Sequence, residues 1–324
     1  MSLPSPYPSP PPGYRLRATT PADAGAVTAL KVAAETAWHG ASDVTVEHVR
    51  EEWALPRLVL ERDSWVVEDA GGSLAGYGFC WVEAPPAEIV AEQLVHPDHR
   101  GRGLSALLLD LCEARALESL REAGPAIDGV LGVWVPEVDA PRRTLYEQRG
   151  YRHIRTFLRL DRDLARPVEQ PSLPAGIRIG TFRRHRDEVA VHAAGEEAFR
   201  DHFRPTAMDL DEWLAFRFVR GDLDLGLWFV AWDGDEVAGA MLAFETPVGG
   251  YLDELFVRRP WRGRGLGRAL LLQACAELRR RGQPVAYLGV DSENPTGAMR
   301  LYGSAGFTQS RAATLVYEKA VSAL

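Results

Sequence analysis

"RRPWRGRGLGRALLLQACAELRRRG", residues 258–282, joins an arginine-studded glycine turn to an apolar helix. The turn is Arg262-Gly263-Arg264-Gly265-Leu266-Gly267. Behind it Leu270, Leu271, Ala274 and Leu278 recur at spacings that keep one helical face apolar. In front stands "YLDELFV", residues 251–257, whose aromatic and aliphatic content reads as a strand. Strand, glycine turn and helix in that order aim free backbone N–H groups, and the positive end of a helix dipole, at an anion.

Two well-known anion fingerprints do not fit. A P-loop needs a lysine after its second glycine, and the lysines of this chain are Lys31 and Lys319, neither near the turn. A dinucleotide fold needs Gly-x-Gly-x-x-Gly near the start of a βαβ unit, whereas Gly263, Gly265 and Gly267 have another spacing and lie late in their segment.

The chain repeats itself. Gly13 opens a segment resembling the one at Gly176, and "WVVEDAGGSLAGYGF" from Trp65 matches "WFVAWDGDEVAGAML" from Trp228, both at an offset of 163. "EQLVHPDHRGRGLSALLLDLCEARALE" from Glu92 matches the segment from Glu254 at 162, and "TLYEQRGY" from Thr144 answers "RLYGSAGF" from Arg300 at 156. Four blocks in one order signal a duplicated domain rather than a solenoid. The expected organisation is a proline-rich tail over 1–12, one copy over 13–162, a proline-rich linker over 163–175 and a second copy over 176–324. Each copy reads as strand, helices, hairpin, strand, glycine turn with helix, strand and late helix. The hairpin turns at Asp233-Gly234-Asp235, "VAYLGVDS" is a strand and "NPTGAMRLYGSAGF" a short helix. The fold class is α/β, with the glycine turn at the carboxyl end of a central strand, where open α/β sheets bind ligands.

At 324 residues and 46% apolar content the chain suits two globular domains. A net charge of −8 argues against nucleic acid as a partner. No run reaches membrane-span length, so no membrane partner is expected. The N-terminus "MSLPSPYPSPPPG" lacks a secretory design and favours extended polyproline conformation. Cys80, Cys112 and Cys275 show no metal or redox spacing, which suits a reducing cytoplasm and core roles.

With the Arg-x-x-Gly-x-Gly turn following a strand that ends in Phe-Val, both halves resemble the GNAT superfamily of acyl-CoA-dependent N-acyltransferases. The resemblance implies two tandem domains, each a mixed, centrally splayed β-sheet flanked by helices. It implies acetyl-CoA as co-substrate, with Leu255, Phe256 and Val257 along the pantetheine and Arg262, Gly263, Arg264, Gly265, Leu266, Gly267 and Arg268 around the phosphates. Asn294 falls at the family's cofactor-side asparagine and Tyr302 at its tyrosine general acid. Asp253 and Glu254 are the candidate bases. Strand alternation puts them on opposite faces unless a bulge intervenes, and the choice between them stays open. A backbone N–H near Val257 would polarise the acyl carbonyl.

The first copy offers a possible second cofactor site: Leu94, Val95, Arg100, Gly101, Arg102, Gly103, Leu104 and Ser105. It keeps Glu92 and Tyr146, but has serine for the last glycine, Ala91 for Asp253 and no matching asparagine. Transfer is therefore expected in the second copy. The implied reaction is direct acetylation of a small-molecule primary amine, without a metal, by a monomer or homodimer. A cysteinyl amine of the mycothiol-synthase type ranks second, because "AMLAFET", residues 240–246, replaces the segment associated with that enzyme. A non-catalytic acyl-CoA binder is the third reading. His39, His202 and the acidic stretch over 209–226 are weaker acceptor-side candidates.

Overall fold

A computed structural model of the chain describes residues 8–55, 57–84, 88–124, 127–200, 208–218, 223–294 and 296–322. It divides into a first unit, Met1–Thr156 with Ala312–Leu324, and a second unit, Phe157–Arg311. Among the described residues no helix is long and apolar enough to cross a membrane.

The second unit is a mixed sheet ordered Ile177–Thr181, Trp228–Asp233, Glu236–Thr246, Gly249–Val257, Val285–Asp291 and the 157–163 part of strand Arg152–Asp163. Neighbours run antiparallel except Gly249–Val257 against Val285–Asp291, which is parallel. The hairpin turns at Gly234, whose φ of 58° suits glycine. Strand alternation sorts side chains between two cores. Phe229, Ala231, Met241 and Ala243 face helix Leu266–Arg280 through Leu270, Leu271, Ala274 and Leu278. Trp228, Val230, Trp232, Ala240 and Leu242 face helices Glu188–Phe199 and Leu210–Arg217 through Val191, Ala194, Ala198 and Trp213. The apolar spacing expected from the sequence is therefore the spacing that seats the glycine-turn helix.

The first unit repeats this order with Arg15–Ala18, Ser64–Glu68, Leu74–Ala84, Glu88–Val95, Asp128–Pro136 and Thr314–Ser322. Its one parallel pair is Glu88–Val95 with Asp128–Pro136. The last strand of each sheet comes from the other copy. Arg152–Asp163, which closes the first repeat in sequence, pairs with Val285–Asp291 and sets buried Leu160 opposite Leu288. Thr314–Ser322, which closes the second repeat, pairs along its whole length with Asp128–Pro136 and buries Val316, Tyr317 and Val321. The compact units thus differ from the spans 13–162 and 176–324 by one exchanged strand each.

Candidate active site

The site of the second unit begins where two parallel strands part. Gly249–Val257 pairs with Val285–Asp291 only at Gly250 and Tyr251, while on its other edge it stays paired as far as Val257. From Leu252 onward one edge of the strand is open, and its backbone groups are offered to a ligand as an added strand would meet them. The antiparallel register slips between Leu252 and Glu254, a β-bulge centred on Asp253. A bulge adds one residue to one strand and re-aims the side chains around it. Asp253 and Glu254, which simple alternation would send to opposite faces, both reach the guanidinium of Arg217.

A cleft of about 450 Å³ fills the angle between the parted strands. Leu255, Phe256, Val257, Arg262, Gly263, Gly265, Leu266, Gly267, Arg268, Asn294 and Tyr302 all line it. Arg264 lies exposed outside the lining. Gly263 and Gly265 have φ of 72° and 82°, and a Cβ built on either meets nothing within 4 Å. Their glycine requirement is thus conformational, since the left-handed region costs other residues about 1–2 kcal/mol, and it leaves the ground above the turn open. Gly265 is the N-cap of Leu266–Arg280 and makes no side-chain cap, so the first amides of that helix point at the cleft without a partner from the cap. Arg262 braces the turn, donating from Nε to the Val257 carbonyl at 2.9 Å and from Nη2 to the Ala198 carbonyl at 3.0 Å. Asn294 Oδ1 accepts from the amide of Thr296 at 2.9 Å and from its hydroxyl at 2.5 Å, shaping the loop on the far wall. Burial raises the Tyr302 hydroxyl to about 12, so it keeps its proton at neutral pH. That hydroxyl has no hydrogen-bond partner among the described residues.

On the other side of the strand lies a smaller cavity of about 150 Å³. Glu254, Arg217, His192, Glu196, Trp213 and Phe216 are among its walls. Phe256 lines both cavities, so the strand is their common partition. Helix Glu188–Phe199 passes close by at Gly195, where a Cβ would stand 3.6 Å from both Glu254 Oε1 and Phe256 Cε1. Burial raises the Glu254 carboxyl, with Asp253 and Glu196 adding to the effect and Arg217 opposing it. A carboxyl raised by burial and held beside a cavity is suited to accept a proton near neutrality.

The first unit has the same skeleton with the openings filled. Its central strands also part, pairing only from Glu88 to Ala91. There is no bulge at Glu92, since the register with Leu74–Ala84 runs unbroken from Ala91 to Val95. Into the gap comes Arg142, which donates to the Gln93 carbonyl, pairs with Asp139 at 2.8 Å and stacks 4.7 Å from the Trp38 ring. At the 156-residue offset the second copy has Ala298 in that place, lining the open cleft. Tyr146, the counterpart of Tyr302, is fully buried and donates to Gln93 Oε1 at 2.8 Å. Glu92 is held by the buried Lys31, whose Nζ lies 2.6 Å from Glu92 and 2.7 Å from Glu52.

The first unit's glycine turn is intact, with Gly101 and Gly103 at φ of 74° and 83°. Pro11 sits 3.6 Å from where a Gly103 Cβ would be, and Arg102 donates to the Tyr14 hydroxyl at 3.2 Å. Arg100 stacks on Trp38. Leu94, Val95 and Leu104 are core residues, and Ser105 follows Leu104 in the first turn of helix Leu104–Ala123.

Several contributors carried no sequence signal of their own. Arg217 lies within the acidic 209–226 stretch, where a surface reading is the default, and Thr296 and Ala298 are small residues at the start of the segment read as a short helix. Among the described residues the histidine at the smaller cavity is His192, whose ring lies 2.7 Å from the Met208 carbonyl; His39 ends helix Ala24–His39 of the first unit. His202 lies outside the described residues. Of the described acids in the 209–226 stretch, Asp209 caps helix Leu210–Arg217 and Asp224 pairs with the distant Arg281.

Comparison with known proteins agrees with this architecture. A model described as "Acetyltransferase (GNAT) family" matches residues 190–307, and one described as "Acetyltransferase (GNAT) domain" matches residues 61–153. A mycothiol acetyltransferase of Thermobispora bispora is 35% identical over 252 residues, covering 74% of this chain and 78% of the relative. One from Streptomyces bingchenggensis is 33% identical, covering 75% and 77%. The crystal structure of a GCN5-related N-acetyltransferase from Sphaerobacter thermophilus superposes with a TM-score of 0.82 at 30% identity, over 96% of this chain and 97% of that one. The parted strands, the glycine turn and both family matches lead to one conclusion: this chain belongs to the GNAT family of acetyltransferases and carries two domains of that family in tandem.

Proposed function

We propose that the second unit moves an acetyl group from acetyl-CoA directly to a primary amine of a small molecule, and that the first unit does not carry the reaction. The observation behind this reading is the partition strand: Leu255, Val257 and Tyr302 face one cavity, Glu254 faces the other, and Phe256 separates them. The larger cleft suits acetyl-CoA. Its left-handed glycines leave the helix N-terminus accessible, and Arg262, Arg268 and Asn294 stand around it. When bound, acetyl-CoA supplies the thioester carbonyl that an amine attacks.

The chain's own groups then have distinct tasks. The open edge of residues 252–257 orients the ligand by strand-like pairing, and an N–H near Val257 steadies charge on the carbonyl oxygen. Glu254 takes the proton from the attacking amine nitrogen, its raised affinity fitting it for that task. Tyr302 keeps its proton to near pH 12 and returns one to the departing sulfur. Asp253 holds Arg217 and shapes the field at Glu254.

The relatives' name supports a second, narrower reading of the acceptor as a cysteinyl amine of the mycothiol type. Free, buried Cys80, Cys112 and Cys275 support a reducing cytoplasmic setting. The test is acetyl-CoA-dependent thiol release with a panel of primary amines, including cysteinyl amides. Release is expected in wild type and lost in Glu254→Gln. Release that depends on no amine would identify a binder or hydrolase instead.

A further inference from the structure

The acceptor-side cavity is already occupied at its reacting end by a cation of the chain itself. Arg217, the last residue of helix Leu210–Arg217, donates one guanidinium nitrogen to Asp253 and another to Glu254. Its side chain is only 17% exposed, and burial works against its charge while the two carboxylates support it. Its Nε is buried without a hydrogen-bond partner among the described residues. The seat therefore holds a cation but leaves one buried donor unsatisfied.

The first unit provides an internal comparison. There the equivalent carboxylate, Glu92, is also occupied by a cation of the chain, Lys31. Lys31 comes from the middle of helix Ala24–His39, is 6% exposed, and is clamped by Glu52 as well as Glu92. The lysine itself is buried, although the Glu92 side chain is 32% exposed. Arg217 differs in standing at a helix end, on the wall of a cavity that is open enough to be measured.

We propose that Arg217 is an exchangeable plug in the seat of the acceptor's ammonium, which the incoming amine displaces from Glu254. The proposal rests on the reading that Glu254 receives the amine's proton. Arg217 Nη2 holds Glu254 Oε2, so an ammonium that bridges the two carboxylates there has to take the place of the guanidinium. The seat has the chemistry an alkylammonium needs: the Glu254 carboxylate on the cavity wall, Asp253 beside it on the shared guanidinium, Glu196 nearby and aromatic walls at Trp213 and Phe216. The acceptor class that follows is a monocationic primary amine at the reacting end. Arg217 thus acts as a specificity-setting residue, excluding amines that bind too weakly to displace it.

The test measures binding, not turnover. S-methyl-L-cysteinamide and n-butylamine are titrated calorimetrically into the full chain with CoA present, using wild type, Arg217→Gln and Arg217→Lys. If the plug fills the seat nine-tenths of the time, Arg217→Gln tightens amine binding about tenfold, because apparent affinity scales with the free fraction. Arg217→Lys, which keeps a cation, remains near wild type. Arg217→Met, a second neutralising change of similar length that leaves both carboxylates in place, shifts affinity the same way, which keeps the proposal testable if Arg217→Gln folds poorly. Unchanged or weaker binding in both neutralising variants, or binding of neither amine by them, overturns the proposal. Tighter binding with turnover that ignores Glu254 would instead overturn the proton-transfer reading and leave the plug standing.

Discussion

One substitution made at equivalent positions of the two units should have opposite consequences. Tyr146 is fully buried and donates to Gln93 Oε1 at 2.8 Å, while Gln93 Nε2 already has no hydrogen-bond partner among the described residues. Tyr146→Phe strips Gln93 of this partner as well. A buried acceptor left unmade costs about 1–3 kcal/mol, and in a unit of this size each kcal/mol moves the melting temperature by about 2–4 °C. Calorimetric scanning should therefore show a fall of about 2–12 °C, with turnover of the folded protein intact. Tyr302 lines the open cleft, and its hydroxyl has no hydrogen-bond partner among the described residues. Tyr302→Phe should leave stability within about 0.5 kcal/mol of wild type and lower turnover about 10²–10⁴-fold through loss of the proton donor. Thiol release measured at saturating acetyl-CoA checks the second arm. A larger loss of turnover in Tyr146→Phe, or a destabilised Tyr302→Phe with full activity, would refute the division of labour.

Two more outcomes follow from the charged groups. Glu254 must be deprotonated to act, and burial with Asp253 and Glu196 raises it while Arg217 opposes, so kcat/KM should climb with pH through a midpoint above the ordinary glutamate value of about 4.3 and then level off. Glu254→Gln should erase that acidic limb, and a pH–rate profile with chemistry rate-limiting reads it directly. Lys31→Met leaves Glu52 and Glu92 without their shared cation, and breaking a buried pair costs about 3–5 kcal/mol. Urea denaturation should show this loss, whereas thiol release by the folded enzyme should stay at the wild-type rate.

Much of the frame was legible because it is written in local pattern. The turn 262–267, the apolar face of Leu266–Arg280 and the Asp233-Gly234-Asp235 hairpin depend on residues close in sequence. The duplication was visible as fixed offsets. What stayed hidden depends on long-range pairing. The repeat places Arg152–Asp163 at the end of the first copy, but no offset records which strand it will neighbour. The bulge at Asp253 breaks the two-residue period in space without altering composition, so the sequence leaves two carboxylates on opposite faces that the fold brings to one guanidinium. Arg217 is separated from them by the hairpin of Trp228–Asp233 and Glu236–Thr246. The contrast between Arg142 and Ala298 was present in the alignment of the copies. It acquires meaning only once the parted strands show that this position fills or frees the gap.

Calorimetric titration with acetyl-CoA tests the central claim most directly. Binding is expected in the cleft of the second unit, because Arg142, Tyr146 and the segment around Pro11 fill the corresponding space in the first. One molecule of acetyl-CoA should bind per chain, and Gly265→Val should abolish binding, because valine at φ 82° is strained by about 1–2 kcal/mol or more and projects over the helix N-terminus. Two molecules per chain, or one whose affinity survives Gly265→Val, would contradict it.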